Sequence, residues 1–404
     1  MSTGIEAINV YCGLARIPVR ALFEGRGLDL SRLGNIMMTE RSVQLPFEDP
    51  VTNAVNAAKP LLDTLSQEER DRIELLVTST ESGLDYSKSI ASYVHGQLGL
   101  SRNCRLLEVK QACYGATAMV QLAAGFLPPG AKALIIATDI TVLDAGNGYA
   151  EPATGHGAAA ILVSDRPSVM TLDPGAAGLC GFDIMDTSRP TPTLDLWDAD
   201  RSLLSYLECL EESFKHYAHR VPGTDFSASF EHLAFHTPFA GMVKAAHRRM
   251  ARKFAPGLTI VDDFERRLLP SLTYPRLVGN LSSGSLYLAL CSVIDTAPEV
   301  DDSPIGLYSY GSGCSSEFFS GRVQASARTT VGRMRIADRL RDRQEIDFSL
   351  YSRLLDETHE CLVPKPDRQI DLLRWQDFLG GIPDRPPTLA LGKVDHYHRH
   401  YEWL

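Results

Sequence analysis

Several side chains of the types that act as nucleophile, acid/base or ligand contact fall at the ends of apolar runs in this chain. Cys113, in QACYGAT, stands between a β-rich run and an apolar helical stretch, with glycine and alanine just after it. At a helix N-terminus the dipole and the free N–H groups favour the thiolate and lower the thiol pKa. The same N–H groups suit a thioester oxyanion. Cys113 reads equally as a small buried hydrophobe, the common fate of a free cysteine. Glu81, in TSTESGLDYSKS, follows another β-rich run. It is either a helix-capping partner or an acid/base whose pKa is raised by partial burial. His236, in AFHTPFAGMVK, closes an apolar strand as a core residue or a ligand-facing ring. Asn280, in VGNLSSGSLY, caps the next helix or offers its carboxamide. Gly311 and Ser312, in SYGSG, form a tight turn or a loop passing close to a substrate carbonyl. His396, His398 and His400 alternate in HYHRHYEWL. Without other ligands nearby they are expected to be a solvated tail, and no metal site is expected.

The elements that position these groups alternate between short apolar strands and longer helical patterns, which predicts α/β layers. Strands are expected over 73–80, 105–111, 132–140, 158–164, 232–238 and 304–313. Amphipathic helices are expected over 202–220 and 240–254, and an apolar helix over 284–295. ACYGATAMVQLAAGFL is apolar on nearly every side, so its helix is expected to be buried all round. The Pro/Gly-rich TLDPGAAGLCG, around 171–181, is expected to join two halves. Residues 1–170 would carry Glu81 and Cys113, and 171–404 His236 and Asn280. A weak repeat supports this, since each half has a strand end followed, 32 or 44 residues later, by a group at the start of a buried helix.

Composition narrows the function. With 404 residues, 44% hydrophobic and 22% charged, the chain supports a large core. Forty basic against fifty acidic residues give a net charge of −10, a poor basis for binding nucleic acid. The eight cysteines contain no CxxC pair, which argues against zinc and against a disulfide scaffold. The first residues lack the pattern of a signal peptide. The most apolar run, ALIIATDITVL, is broken by Asp139 and too short for a bilayer. The expectation is a cytoplasmic protein with reduced thiols and no membrane partner.

QACYGATA, YAEPATGHGAAA, FHTPFAGMVK, GNLSSGSLY and SYGSG occur in that order across residues 111–313. Together they closely resemble the 3-hydroxy-3-methylglutaryl (HMG) synthases of the thiolase superfamily. PFEDPVTNAVNAAKPLL and LLSYLECLEESF are similar to further family segments, while residues beyond about 325 resemble it loosely. The resemblance implies a thiolase-like five-layered αβαβα fold of two similar halves, usually dimeric. It implies Cys113 as the acylated nucleophile, Glu81 as general base and His236 as catalytic histidine. It places Asn280, Gly311 and Ser312 at the substrate pocket, with Tyr149 in a pocket-lining segment. The implied reaction acetylates Cys113, enolises the acetyl group, adds it to the ketone of a β-ketoacyl thioester and hydrolyses the Cys113 thioester. It uses no metal or redox cofactor.

In members that use coenzyme A, a lysine five positions after the histidine helps hold the carrier; here that position is Gly241. HTPFAGMVKAAHR instead resembles the polyketide β-branching branch, whose acetyl donor and β-ketoacyl acceptor ride on the phosphopantetheine arms of acyl carrier proteins. Lys244, Arg248, Arg249 and Arg252 form a basic helix after the histidine, suited to docking an acidic carrier or simply a solvated face. Arg333, Arg335, Arg339, Arg341 and Arg343 form a second basic stretch, interleaved with Asp338 and Asp342 and expected to be salt-bridged helix surface. Three rival readings are a mevalonate-type synthase using acetyl- and acetoacetyl-coenzyme A, an initiating ketosynthase, and a non-catalytic carrier-docking partner. Glu81 argues against the ketosynthase, because decarboxylation needs no base. Cys314 matches the second cysteine of thiolase in kind, but its SYGSGC setting is expected to make it a packing residue.

Overall fold

The computed structural model describes residues 2–142 and 148–404. Hydrogen-bonded strands run through the molecule as one nine-stranded sheet. In chain order they are β1 (Gly4–Tyr11), β2 (Ile73–Ser79), β3 (Arg105–Val109), β4 (Lys132–Ile140), β5 (His156–Ser164) and β6 (Met170–Gly181). An arm of two strands, β7 (Thr187–Thr191) and β8 (Leu194–Trp197), stands outside the sheet. Then come β9 (His232–Phe235), β10 (Pro304–Gly311) and β11 (Ser315–Val323). The order across the sheet is β9-β10-β11-β6-β1-β5-β4-β2-β3. β1 and β6 meet only at Gly4–Ile5 and Met170–Thr171, so the sheet divides there into two halves.

Helices cover and separate these halves. α1 (Pro50–Leu62) packs on β1, β4 and β5, and α2 (Ile90–Leu98) beside it on β2 and β3. α3 (Gly115–Phe126) packs on β2, β4 and β5. α4 (Ala199–Arg220) lies on β6 and β11, with α5 (Ala240–Phe254) beside it. α6 (Ser285–Thr296) touches strands of both halves and lies between them, next to α3, where the Tyr287 hydroxyl donates to Thr117. The arrangement is the five-layered thiolase-like one. α1 starts where it does because Asp49 and Thr52 form a capping box ahead of Pro50, whose absent N–H is no loss in the first turn. Asp198 caps α4 by accepting from the Arg201 N–H on its carboxylate.

Four expectations are corrected. The segment 171–181 is not a joint but strand β6, paired with β11. Gly178 serves close packing: a side chain there would overlap the main chain of α4 at Ser213 and Tyr217. α3 is not buried all round, because Leu122 and Phe126 are 57% and 54% exposed. The C-terminal histidines do not form a loose tail. His398 and His400 lie in β13 (His398–Trp403), which pairs with β12 (Leu389–Asp395). His396 sits on the turn between them with Asp395 and Asp367, an exposed cluster that supplies the neighbouring carboxylates the sequence did not reveal. The second arginine stretch is partly interior: Arg343 is buried against Glu40, and Arg339 donates to Asn9.

Candidate active site

β2 and β3 run parallel with Ser79 opposite Val109, so both chains leave the sheet at the same edge. Ligand crevices form at such carboxyl ends. Glu81 follows β2 there, and Cys113 follows β3. Ala112, with φ of 45°, turns the chain before Cys113. The Cys113 thiol donates to Glu81 Oε1 at 3.3 Å. β4, parallel to β2 on its other side, brings Asp139 to the same edge. Asp139 Oδ1 accepts from the Glu81 N–H at 2.7 Å, the Ser82 hydroxyl at 3.0 Å and the Thr80 hydroxyl at 3.1 Å. Its Oδ2 is buried without a partner among the described residues.

The second half meets this edge. His236 follows β9, donates its N–H to Tyr308 O at 2.7 Å and accepts from the Tyr206 hydroxyl at 2.8 Å on its carbonyl. The ring is buried, and its Nδ1 has no partner among the described residues. β10 runs parallel to β9 and ends at Gly311. A Cβ on Gly311 would lie 2.5 Å from Gln111 O and 2.7 Å from Tyr114 N, so this glycine lets the two loops touch beside Cys113. Asn280 Oδ1 accepts from the Ser282 N–H at 3.0 Å and the Ser285 hydroxyl at 2.7 Å, which leaves Nδ2 as the carboxamide's available donor. Ser282 has φ of 49°, and its hydroxyl favours the charged forms of both Glu81 and Cys113.

The β7–β8 arm joins the two sides. Asp186, just before it, accepts from Gly313 N–H at 3.0 Å and the Tyr310 hydroxyl at 2.6 Å. Ser312 donates to the Thr187 hydroxyl at 3.3 Å. Arg189 reaches the other way, donating to Glu81 O at 3.1 Å.

Burial dominates the electrostatics. It raises the Glu81 carboxyl, opposed by Arg189 and by the hydrogen bond from Cys113. Burial, then the Glu81 charge, pushes Asp139 up to about 8. Burial holds the His236 ring down at about 3, so it is neutral at pH 7. The lowered thiol pKa expected for Cys113 is overturned. Burial and the facing carboxylates of Glu81 and Asp139 raise it well above the usual thiol value, outweighing the helix terminus.

Other candidate residues lie further out. The Tyr149 hydroxyl accepts from Asp29 N–H at 3.3 Å, and its ring packs against Phe23 and lies 4.6 Å from the Arg32 guanidinium. Lys244, Arg248, Arg249 and Arg252 are all exposed on α5. Arg249 joins Lys253 in holding Glu211 of α4, and Lys244 lies over the Phe264 ring. Arg248 and Arg252 have no ion-pair partner among the described residues. Cys314 is buried, with its sulfur 3.5 Å from Cys209.

Sequence reasoning missed Asp139, Ser282 and Arg189 as site residues. An acid inside an otherwise apolar strand was a usable signal for Asp139. Ser282 lies inside a quoted motif but is singled out only by its backbone. Nothing local marks Arg189, which reaches Glu81 across 108 residues of sequence.

Comparisons with known proteins identify the family. Residues 32–167 match the family model described as Hydroxymethylglutaryl-coenzyme A synthase N terminal, and 258–375 its C-terminal counterpart. The polyketide biosynthesis 3-hydroxy-3-methylglutaryl-ACP synthase PksG of Bacillus subtilis is 44% identical over all of both chains. The hydroxymethylglutaryl-CoA synthase of Enterococcus faecalis is 33% identical over 89% of this chain and 92% of its own. The crystal structure of the curacin biosynthetic pathway HMG synthase in complex with acetyl donor-ACP superposes with a TM-score of 0.96 at 43% identity, covering all of both chains. The chain is a member of the hydroxymethylglutaryl-coenzyme A synthase family, enzymes that form a carbon–carbon bond during acyl transfer.

Proposed function

We propose that this HMG synthase works on carrier proteins. Acetyl passes from an acetyl-acyl carrier protein to Cys113. It is then added to the β-ketone of a β-ketoacyl-carrier-protein polyketide intermediate, beginning a β-branch. The observation that carries this reading is Gly241. A side chain there would overlap the main-chain oxygen of Asn35, so the position where coenzyme-A-using members carry a lysine has room for none. The similarity to PksG and to the curacin synthase supports the same reading. The exposed Arg248 and Arg252, on the helix leading away from His236, offer positive charge to an acidic carrier.

The steps follow from the residues. The Cys113 thiol stays protonated until the donor thioester arrives. As sulfur attacks the acetyl carbonyl, Glu81 takes the thiol proton and passes it to the departing phosphopantetheine thiolate. Glu81, again a carboxylate, removes a proton from the acetyl methyl. Backbone N–H groups at the start of α3 hold the enolate oxygen, the kind of donor whose removal costs roughly 10²–10³ in rate. The enolate carbon attacks the acceptor ketone. Neutral His236 donates a hydrogen bond to the ketone oxygen, and the proton on Glu81 returns to the tertiary alkoxide. Water then cleaves the Cys113 thioester, one of its protons going to the sulfur and the other to solvent, leaving a carboxylate and a free thiol. In this reading residues 1–170 supply the base and nucleophile, and 171–404 the groups that hold the acceptor. Substrates ride on phosphopantetheine arms. No helix among the described residues is long and apolar enough to cross a membrane, in keeping with a cytoplasmic enzyme.

A homodimer fits the remaining surface. Among the described residues β3 ends the sheet with an unpaired edge, and Leu107, Leu122 and Phe126 stand exposed on β3 and α3. A second copy meeting this edge covers both.

The decisive test is intact-protein mass spectrometry after mixing with acetyl-carrier protein or acetyl-coenzyme A, with Cys113→Ala as control. Rapid labelling from the carrier protein alone is expected. Rapid labelling from coenzyme A would make the enzyme one of primary metabolism, and labelling of Cys113→Ala would remove the assigned nucleophile.

A further inference from the structure

Arg189 belongs to the outlying β7–β8 arm, yet its guanidinium is spent on the loop that carries Glu81. Nη1 donates to Glu81 O at 3.1 Å and to the Ser82 hydroxyl at 2.9 Å. Nη2 donates to Ile140 O, at the end of β4, at 3.2 Å. Nε and Nη2 grip Asp195 at 2.5 and 2.8 Å. All five donors of the fork are used, and Arg189 and Asp195 are each only about 15% exposed (15% and 16%). Asp195 is on the facing strand of the arm, so the fork is held rigid from behind while it clamps the ends of β2 and β4 in front. A lysine could supply the charge but not the fork.

The charge matters because of what surrounds Glu81. Facing it are the Cys113 thiol from the loop before α3, the Asp139 carboxyl from β4, the Ser282 hydroxyl before α6, and Arg189 with Asp195 from the arm. Two carboxyls, the half-buried Glu81 and the buried Asp139, thus interact here, and Arg189 is the cation that favours their charged forms. A general base buried among carboxyls becomes protonated, and so useless as a base, unless a positive charge is fixed beside it.

We propose that Arg189 is a positioning residue for the reaction. It fixes the Glu81 main chain at the distance from Cys113 that the chemistry needs, and it supplies the positive charge that keeps Glu81 a base. The inference rests on Glu81 being the group that enolises the acetyl group.

The test reads enolisation directly, as deuterium uptake from D2O into the Cys113-bound acetyl group, followed across pH by peptide mass spectrometry. Arg189→Gln is expected to lower the exchange rate at pH 7 by ten-fold or more. It is also expected to move the midpoint of the rate's rise toward alkaline pH by about one unit, because losing the cation raises the Glu81 pKa. Arg189→Lys, which keeps the charge without the fork, is expected to restore the midpoint while the plateau rate stays below wild type. If Arg189→Gln does not fold, Asp195→Asn decides: it removes the carboxylate that shares the Arg189 charge and is expected to move the midpoint toward acid pH, and an unmoved midpoint overturns the inference. An Arg189→Gln midpoint equal to that of wild type overturns it, even if the rate falls, since a merely structural role slows exchange without moving the profile. Exchange that persists in Glu81→Gln would instead sink the assignment of Glu81 itself, a separate outcome.

Discussion

Gly311→Ala tests whether the contact between the two halves sets the position of the nucleophile. The new methyl would sit 2.5 Å from Gln111 O, 2.7 Å from Tyr114 N and 2.9 Å from Tyr114 Cβ, all in the chain flanking Cys113. Ordinary contact begins at 3.4 Å, so the loops must separate by about 0.9 Å at the closest point. The Gly311 side yields little, because Tyr310 and Gly313 are both held by Asp186 and Ser312 by Thr187. The displacement therefore falls on Gln111–Tyr114, which shifts Cys113 against Glu81. A misplacement near 1 Å costs on the order of 10²-fold in rate. The expected result is a folded protein whose Cys113 acetylation, followed by quench and intact mass, is about 100-fold slower. Gly96→Ala is the control. It lies in α2 with nothing within 4 Å of the added methyl, and is expected to leave the rate unchanged and to stabilise the helix by up to about 1 kcal/mol. Wild-type acetylation by Gly311→Ala would refute the argument that this contact positions the thiol.

Further outcomes follow from other parts of the molecule. Burial holds His236 at about 3, below its unfolded value of 6.5, so the unfolded chain binds more protons between those limits. Wild type is therefore expected to lose stability relative to His236→Asn as pH falls from 6.5, by up to about 1.4 kcal/mol per pH unit in urea titrations; parallel curves would show the ring to be more hydrated than its burial indicates. Reversing Arg248 and Arg252 to Glu is expected to slow acetylation from the carrier protein about ten-fold at low ionic strength, with the defect shrinking in salt. An equal loss with a small acetyl thioester would place these residues in folding rather than docking. Leu122→Asp with Phe126→Asp is expected to give monomers by light scattering, and unchanged dimers would move the interface elsewhere. Cys314→Ala is expected to keep acetylation and condensation within about three-fold, costing some stability through the cavity left beside Cys209; abolished condensation would revive the thiolase-like second cysteine.

Legibility of the sequence depended on how local the cause was. α5 runs from Ala240 to Phe254 as expected, because Pro238 blocks its extension backward and one apolar stripe faces the core. β4 matched its apolar run from Lys132 to Ile140. β6 was misread because its glycines look like a linker, whereas Gly178 is there because the backbone of α4 lies against the strand. α3 was misread because composition cannot say whether an apolar face meets a core or solvent at a sheet edge. At the candidate site, the placement of Cys113, Glu81 and Asn280 at the ends of elements was legible from their motifs. Their electrostatics were not: the helix terminus was visible near Cys113, but the two carboxyls that outweigh it come from other strands. Arg189 illustrates the limit, since its role exists only once the arm has folded across to β2 and β4.

The way the chain's last segment is used bears on how the enzyme is made. Ala15–Pro18 pairs with Glu40–Val43 on one side and with Gln344–Glu345 on the other, and Leu391 donates to Phe47 beside α1. The stretch after Gly313 thus completes layers begun near the start. On a ribosome adding about 5–20 residues per second, Ala15 waits roughly 15–65 s for Gln344 to be synthesised. During that interval a strand edge and the surface around Phe47 stay open. Glu81, Cys113, His236 and Asn280 are all translated before the segment that closes their scaffold. A nascent chain therefore holds the groups proposed to react before it holds the fold that brings them together, and loss of the C-terminal segment is expected to disable the enzyme without removing one of them.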